Sequence, residues 1–238
     1  DSLPQEIIAS VWYAVKAEPA AASAAAESNG EKSTTLFIMI AVVFGLLYLC
    51  CRPILRSSSE KPALICFAVL MLLAVLARVL LAVRVPGYSV DINCFTAWSL
   101  RMAENGPSAF YHADYFCDYP PGYLLLLWPC GLLLRAVGLA DTQAALLIVK
   151  SLPLLCDILG SLWLFRFSKK RIGTAAAALA SLLYALNPAV LVNGAAWGQA
   201  DSVLALMLAL TACFAMGRRW HFAMPFFAAS VLIKPQAL

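Results

Sequence analysis

Charge is scarce in this chain. Asp, Glu, Lys and Arg make up 13% of its 238 residues, about half the share of roughly 25% usual in soluble domains. So little charge excludes a disordered chain, a nucleic-acid binder with a basic face and an ordinary soluble enzyme. Histidine occurs only twice, and the eight cysteines form no CxxC pair and no Cys/His metal spacing. Residues 1–35 show no basic start followed by an apolar core of the signal-peptide kind. The net charge of +4 implies no acidic partner, so where the basic residues sit matters more than their number.

What the chain has instead is apolar surface. Hydrophobic residues reach 63% against roughly 45–50% in globular proteins, and the mean hydropathy is +0.83. No soluble core of this size needs so little polar cover, so lipid is the solvent for most of the chain. Residues 1–35 are Ala-, Ser- and Glu-rich and read as a polar tail or linker. Apolar runs of membrane length then cover 36–51, 62–83, 121–137, 143–165, 173–192, 200–217 and 222–238. The expected fold is all-α, a polytopic transmembrane helix bundle over 36–238. The chain opens without Met and stops at Leu238 inside an apolar run, so it reads as a fragment truncated at its C-terminus. Cys50, Cys51, Cys66, Cys130 and Cys213 lie in apolar runs and read as small buried hydrophobes, while Cys156 adjoins Asp157.

One long polar insert, Arg84–Pro120, separates the second and third runs, and loops of that length usually carry function or are disordered. Ile92, Phe95, Trp98 and Met102 recur in it at helical spacing, with Asn93, Arg101 and Glu104 off the stripe. The pattern predicts a short amphipathic helix on the membrane surface, ended by Gly106-Pro107. Cys94 and Cys117 flank this loop and are candidates for a disulfide should it face an oxidising compartment. By the positive-inside rule, Arg166/Lys169/Lys170/Arg171 and Arg218/Arg219 both lie in the cytoplasm. Two full crossings by 121–137 and 143–165 put the insert there too. A failed crossing, at Pro129 or Pro153, puts it outside.

A few polar residues carry the chemistry. Asp91, just past a membrane helix, is placed to orient or deprotonate a hydroxyl, or else is a solvated loop acid or helix cap. Asp118-Tyr119-Pro120-Pro121-Gly122 runs into an apolar helix, with Asp118 and Tyr119 at its aqueous lip; the plain alternative is a helix start. Lys150 and Asp157 share a helical face inside a run, about 10 Å apart. Intramembrane charges of this kind mark either function or a structural anchor between helices. Trp197, Gln199 and Asp201 combine a ring face with polar groups suited to sugar hydroxyls, although Trp197 also fits interfacial anchoring. Trp197 and Asp201 share a face if their helix begins early. Lys234, at the break made by Pro235, offers a buried cation to a phosphate.

In order, the segments YSVDINCFTAW, GPSAFY, DYPPGYLLLLW, KSLPLLCDILGSLWLF, LNPAVLVNGAAWGQADSV and IKPQAL resemble the GT-C superfamily of polyprenyl-phosphate-sugar glycosyltransferases. The nearest likeness is to its GPI-mannosyltransferase-like branch, over about Arg84 to Leu238. The resemblance implies a first large loop on the extracytoplasmic or luminal side, with Asp91 as the catalytic carboxylate. It implies transfer of a sugar, mannose in this branch, from a polyprenyl-phosphate donor to a hydroxyl of a glycan, lipid or protein, usually with inversion. Partners are then the lipid donor, the acceptor and membrane lipid, with no nucleic acid. The setting is a bacterial plasma membrane, or the endoplasmic reticulum of a eukaryote. Lys234, His112 and Arg84 are candidate cations for the leaving phosphate, and Trp197, Gln199 and Asp201 would line or brace the sugar or acceptor pocket. Related enzymes have a DxD where this chain has Ser89-Val90-Asp91, which weakens the case for a divalent metal. Two other classes fit the residues without the resemblance: a transporter or flippase with a Lys150–Asp157 relay, and a non-catalytic membrane subunit. The halves show no obvious repeat of the transporter kind.

Overall fold

Apolar side chains crowd both faces of the longest runs, which leaves a helix as the only way to satisfy the backbone in lipid. The computed structural model describes residues 60–111, 115–138 and 143–238, with isolated helical positions between 34 and 52. The tail over 1–35 apart from Thr34, most of the run 36–51, Cys50, Cys51 and His112 lie outside the described residues. The chain divides into two units, Asp1–Cys50 and Cys51–Leu238, and all that follows concerns the second.

Its described part is all-α, with eight helices: α1 (Glu60–Arg84), α2 (Ser89–Asn105), α3 (Pro121–Val137), α4 (Gln143–Ile172), α5 (Thr174–Ala185), α6 (Pro188–Val190), α7 (Asp201–Met216) and α8 (Trp220–Ile233). A π-helical segment, Leu191–Trp197, continues α6. Helices α1 and α4 are long and apolar enough to cross a membrane. Helix α5 with Pro188–Trp197 makes a third such span, bent by 42°. Asn187-Pro188 causes the bend: Pro188 has no N–H to continue α5, and the Asn187 side chain caps the new start by accepting from the Ala189 N–H at 2.9 Å. The expected run 173–192 is therefore two elements. Helix α4 also outlasts its expected end at 165, continuing through the basic cluster to Ile172.

The outer face of α1 carries Ile65, Val69, Leu72, Leu76, Leu80 and Val83, all exposed, while Phe67, Leu70, Met71, Ala74, Arg78 and Ala82 turn inward. An exposed face of branched aliphatics in place of charges suits lipid contact. With two or three such spans, the chain is an integral membrane protein.

The bundle has two distinct ends. At one, Glu60 of α1 accepts from the Thr174 hydroxyl at 2.7 Å and lies 3.8 Å from Lys169 of the basic cluster. At the other, α1 ends beside Ala196 and Lys150, and α7 begins beside Lys234. Helix α3 does not join the two. It begins at the second end, where Gly122 packs against the Leu232 carbonyl of α8, and then follows α2: Tyr123 meets Phe95, Gly131 meets Ser99, and Arg135 donates to the Ala103 carbonyl at 3.1 Å. Its Cys130 reaches the carbonyl of Ile148, two residues before Lys150. A Cβ on Gly131 would stand 1.8 Å from the Ser99 oxygen, so this approach needs glycine. The run 121–137 therefore stays with the insert.

Helix α2 matches its expected stripe: Ile92, Phe95, Trp98 and Met102 are all buried, and Asn93 and Glu104 are exposed. Gly106, at φ +73°, ends it. Phe95, Trp98 and Met102 join Tyr123, Leu124, Leu127, Val149, Val203 and Ile233 in the core beneath the second end.

Candidate functional site

Asp91 occupies the first turn of α2, where a carboxylate is favoured by the helix dipole; Tyr88 is the cap. The linker 85–88 sets its position. Gly87 there has φ +88°, and a Cβ on it would lie 2.6 Å from the Trp197 carbonyl. The end of the π segment is thus pressed against the start of α2. Gly198, at φ +89°, turns the chain out of the π segment, and its N–H and that of Gln199 both donate to the Asn193 carbonyl at 3.1 Å.

This turn delivers two donors to one oxygen. The Trp197 indole N–H donates to Asp91 Oδ2 at 3.2 Å, and the Gln199 amide donates to the same atom. No described residue donates to Asp91 Oδ1. Burial raises the Asp91 pKa above the ordinary aspartate range; the Trp197 hydrogen bond and Lys234 oppose the rise, and Asp118 and Asp201 add to it. Asp201 opens α7, accepting from the Asn193 amide at 3.1 Å through Oδ2 and pairing with Lys234 at 2.5 Å through Oδ1. Trp197 and Asp201 do not share a helix face, because the turn at Gly198 separates their elements.

The insert reaches the same place. Arg101 donates to the Phe110 carbonyl at 3.0 Å and lies 3.9 Å from the Tyr115 ring centre. Trp98 donates to the Phe116 carbonyl at 3.1 Å, and the Tyr111 hydroxyl to the Tyr119 carbonyl at 2.9 Å. With these ties the loop presents Asp118, exposed, and Tyr119, whose ring lies 5.8 Å from the Lys234 ammonium. Burial and the surrounding carboxylates raise the Tyr119 pKa, so its hydroxyl stays protonated. Cys94 and Cys117 are free thiols here, each pushed up to about 11, chiefly by burial. Of the apolar-run cysteines, Cys130 is buried but Cys66 and Cys213 are only half-buried.

Asp91, Asp118, Tyr119, Trp197, Gln199, Asp201 and Lys234 thus come together at one end of the bundle. Arg84 is exposed at the end of α1, with no hydrogen bond or ion pair to this group. Lys150 and Asp157 lie deeper. The Lys150 ammonium donates to the carbonyls of Val85 at 2.6 Å, Ala196 at 2.9 Å and Ala82 at 3.5 Å. Asp157 accepts from the Tyr184 hydroxyl at 3.3 Å and lies 3.5 Å from Nε of Arg78, with Ser202 facing it as well. Sequence reasoning passed over Arg78; the signal was a lone arginine in an otherwise apolar run. Among the described residues no three His, Cys, Asp or Glu side chains form a group able to hold a metal. Asp91 Oδ2 and both Asp201 oxygens are engaged with Trp197, Gln199, Asn193 and Lys234, and no step is routed through a metal.

Fold and site together define a class: an all-α integral membrane protein with a carboxylate-bearing polar site at one bundle end. Comparison with protein-family models, curated proteins and solved structures found no match.

Proposed function

We propose that this protein is a glycosyltransferase of the GT-C kind, moving a sugar from a polyprenyl phosphate to an acceptor hydroxyl. The observation that carries the reading is the Asp91 carboxylate: two donors hold Oδ2 in place, while Oδ1 is left to receive a proton. A base needs that combination of fixed orientation and one open lone pair, with a pKa raised toward neutrality.

In the proposed reaction, the acceptor oxygen attacks the anomeric carbon while its proton passes to Asp91 Oδ1. The bond from the anomeric carbon to the phosphate oxygen breaks on the opposite face, giving inversion. Charge then develops on the departing lipid phosphate, where a cation is worth most. Lys234 is the cation at hand, held by Asp201 above the Tyr119 ring. Trp197, Gln199, Asp118 and Tyr119, gathered around base and cation, would hold the sugar.

The bundle geometry supports the same reading. With the basic end cytoplasmic, the site end faces outward, where a lipid-linked sugar meets an aqueous acceptor. Mannose is the sugar the resemblance suggests. Incubating the purified full-length protein with a labelled polyprenyl-phosphate sugar and a hydroxyl acceptor tests the reading. Transfer should fall by about 10²–10⁴ in Asp91→Asn; transfer at the native rate in that variant overturns the role of Asp91.

A further inference from the structure

Lys150 lies on α4 with no exposed surface, and its ammonium bonds backbone carbonyls rather than the Asp91 carboxylate. An ammonium has three protons to donate, and this one finds three backbone carbonyls. Two belong to the end of α1 and its exit, Ala82 and Val85; the third is Ala196, at the end of the π segment. Carbonyls at helix C-termini lack helical partners and carry the negative end of the dipole, so a cation there satisfies both needs.

The two gripped segments are the ones that carry the site. Val85 precedes Asp91 by six positions, through a linker with only Pro86, Gly87 and Tyr88 before α2 begins. Ala196 adjoins Trp197 and stands three before Gln199. The stem of the lysine fills the gap between them: a Cβ on Gly198 would lie 3.0 Å from Lys150 Cγ and 2.8 Å from Ile92 Cδ1. We propose that Lys150 is a positioning residue, whose ammonium sets the spacing between Asp91 and the Trp197–Gln199 pair by gripping the backbone on both sides.

Asp157, two turns along α4, ties the same neighbours independently. It meets Arg78 on α1, and its Oδ2 lies where a Cβ on Gly194 of the π segment would come within 2.7 Å. That second tie keeps α1, α4 and the π segment together when the first is cut. Loss of the lysine therefore loosens the site without dispersing the bundle. The inference holds whatever chemistry the site performs.

Fluorine NMR of protein labelled with fluorotryptophan tests it. The chain has six tryptophans, and Trp197→Phe identifies the Trp197 resonance. Asp91→Asn should shift that resonance in the native background, because it changes the acceptor of the indole N–H. In Lys150→Met the same Asp91→Asn change should shift it by less than half as much, with the other five resonances in place. Lys150→Arg, which keeps the charge but not the three-carbonyl geometry, should retain part of the coupling. If Lys150→Met does not yield folded protein, Lys150→Arg decides, a diminished shift supporting the proposal and an undiminished one overturning it. An undiminished shift overturns the proposal, as does a native Trp197 resonance blind to Asp91, or a displacement of all six resonances together. No sugar transfer enters this test. A protein that transfers no sugar yet loses the coupling keeps this inference and loses the glycosyltransferase reading.

Discussion

Replacing Arg78 by Met leaves the Asp157 carboxylate inside the bundle with its nearest cation gone. Side-chain exposure is 1% for Arg78 and 0% for Asp157, so water does not take the cation's place. At 3.5 Å and an effective dielectric of about 20, the Coulomb attraction is about 5 kcal/mol. Breaking a buried pair from one side typically costs about 3–5 kcal/mol. The lower end applies here, because Nε and Oδ2 meet without a well-formed hydrogen bond and Arg78 Nη2 has no partner among the described residues. The Tyr184 hydroxyl also remains to support Asp157. We therefore expect about 3 kcal/mol for Arg78→Met and a similar loss for Asp157→Leu. Removing both charges leaves neither stranded, so the double variant should cost far less than the sum. Thermal unfolding in detergent reads this directly. At about 2–4 °C per kcal/mol for a domain of this size, each single variant should lose about 6–12 °C. Single losses under about 2 °C, or a double variant that loses the full sum, would refute the reasoning.

Three further outcomes follow from the geometry. Gly131→Ala puts a Cβ 1.8 Å from the Ser99 carbonyl oxygen, forcing α2 and α3 apart at a cost of about 1–3 kcal/mol; an unchanged melting temperature would contradict the close approach. Lys234→Gln removes the cation proposed for the donor phosphate, and charged hydrogen bonds of about 1.5–3 kcal/mol predict a rise of about 10- to 100-fold in donor KM, measured by transfer kinetics. Cysteines placed at Ser108 and Ser168 should react with an impermeant reagent from opposite sides of the membrane; labelling of both from one side sinks the assignment of the two bundle ends.

Much of the architecture was legible because it is periodic. The stripe Ile92, Phe95, Trp98, Met102 specifies α2, and Gly106 specifies its end, through local rules that need no knowledge of the rest of the chain. Asp91, Trp197, Gln199, Asp201 and Lys234 stood out as polar exceptions in apolar surroundings. What escaped was long-range. That Arg78 would seek Asp157, or Lys150 the carbonyls of Val85 and Ala196, depends on helix packing across 46 to 79 positions of sequence, which leaves no periodic trace. The same holds for α3. Its composition reads as a crossing, and its contacts with α2, Ile148 and Leu232 keep it at the site end. The π segment was hidden for a different reason: Leu191–Trp197 is apolar enough for any helix, and its wider turn follows from the Gly198 and Asn193 geometry.

The pH dependence of kcat/KM for sugar transfer, in the native protein and in Asp91→Asn, bears most directly on the base. The base works only when ionised, and burial holds Asp91 above the ordinary aspartate range. Activity should therefore rise with pH through a limb above that range in the native protein, and the limb should vanish, with the rate, in Asp91→Asn. A native profile flat across the limb, or the same limb and rate in the variant, would show that Asp91 does not take the proton.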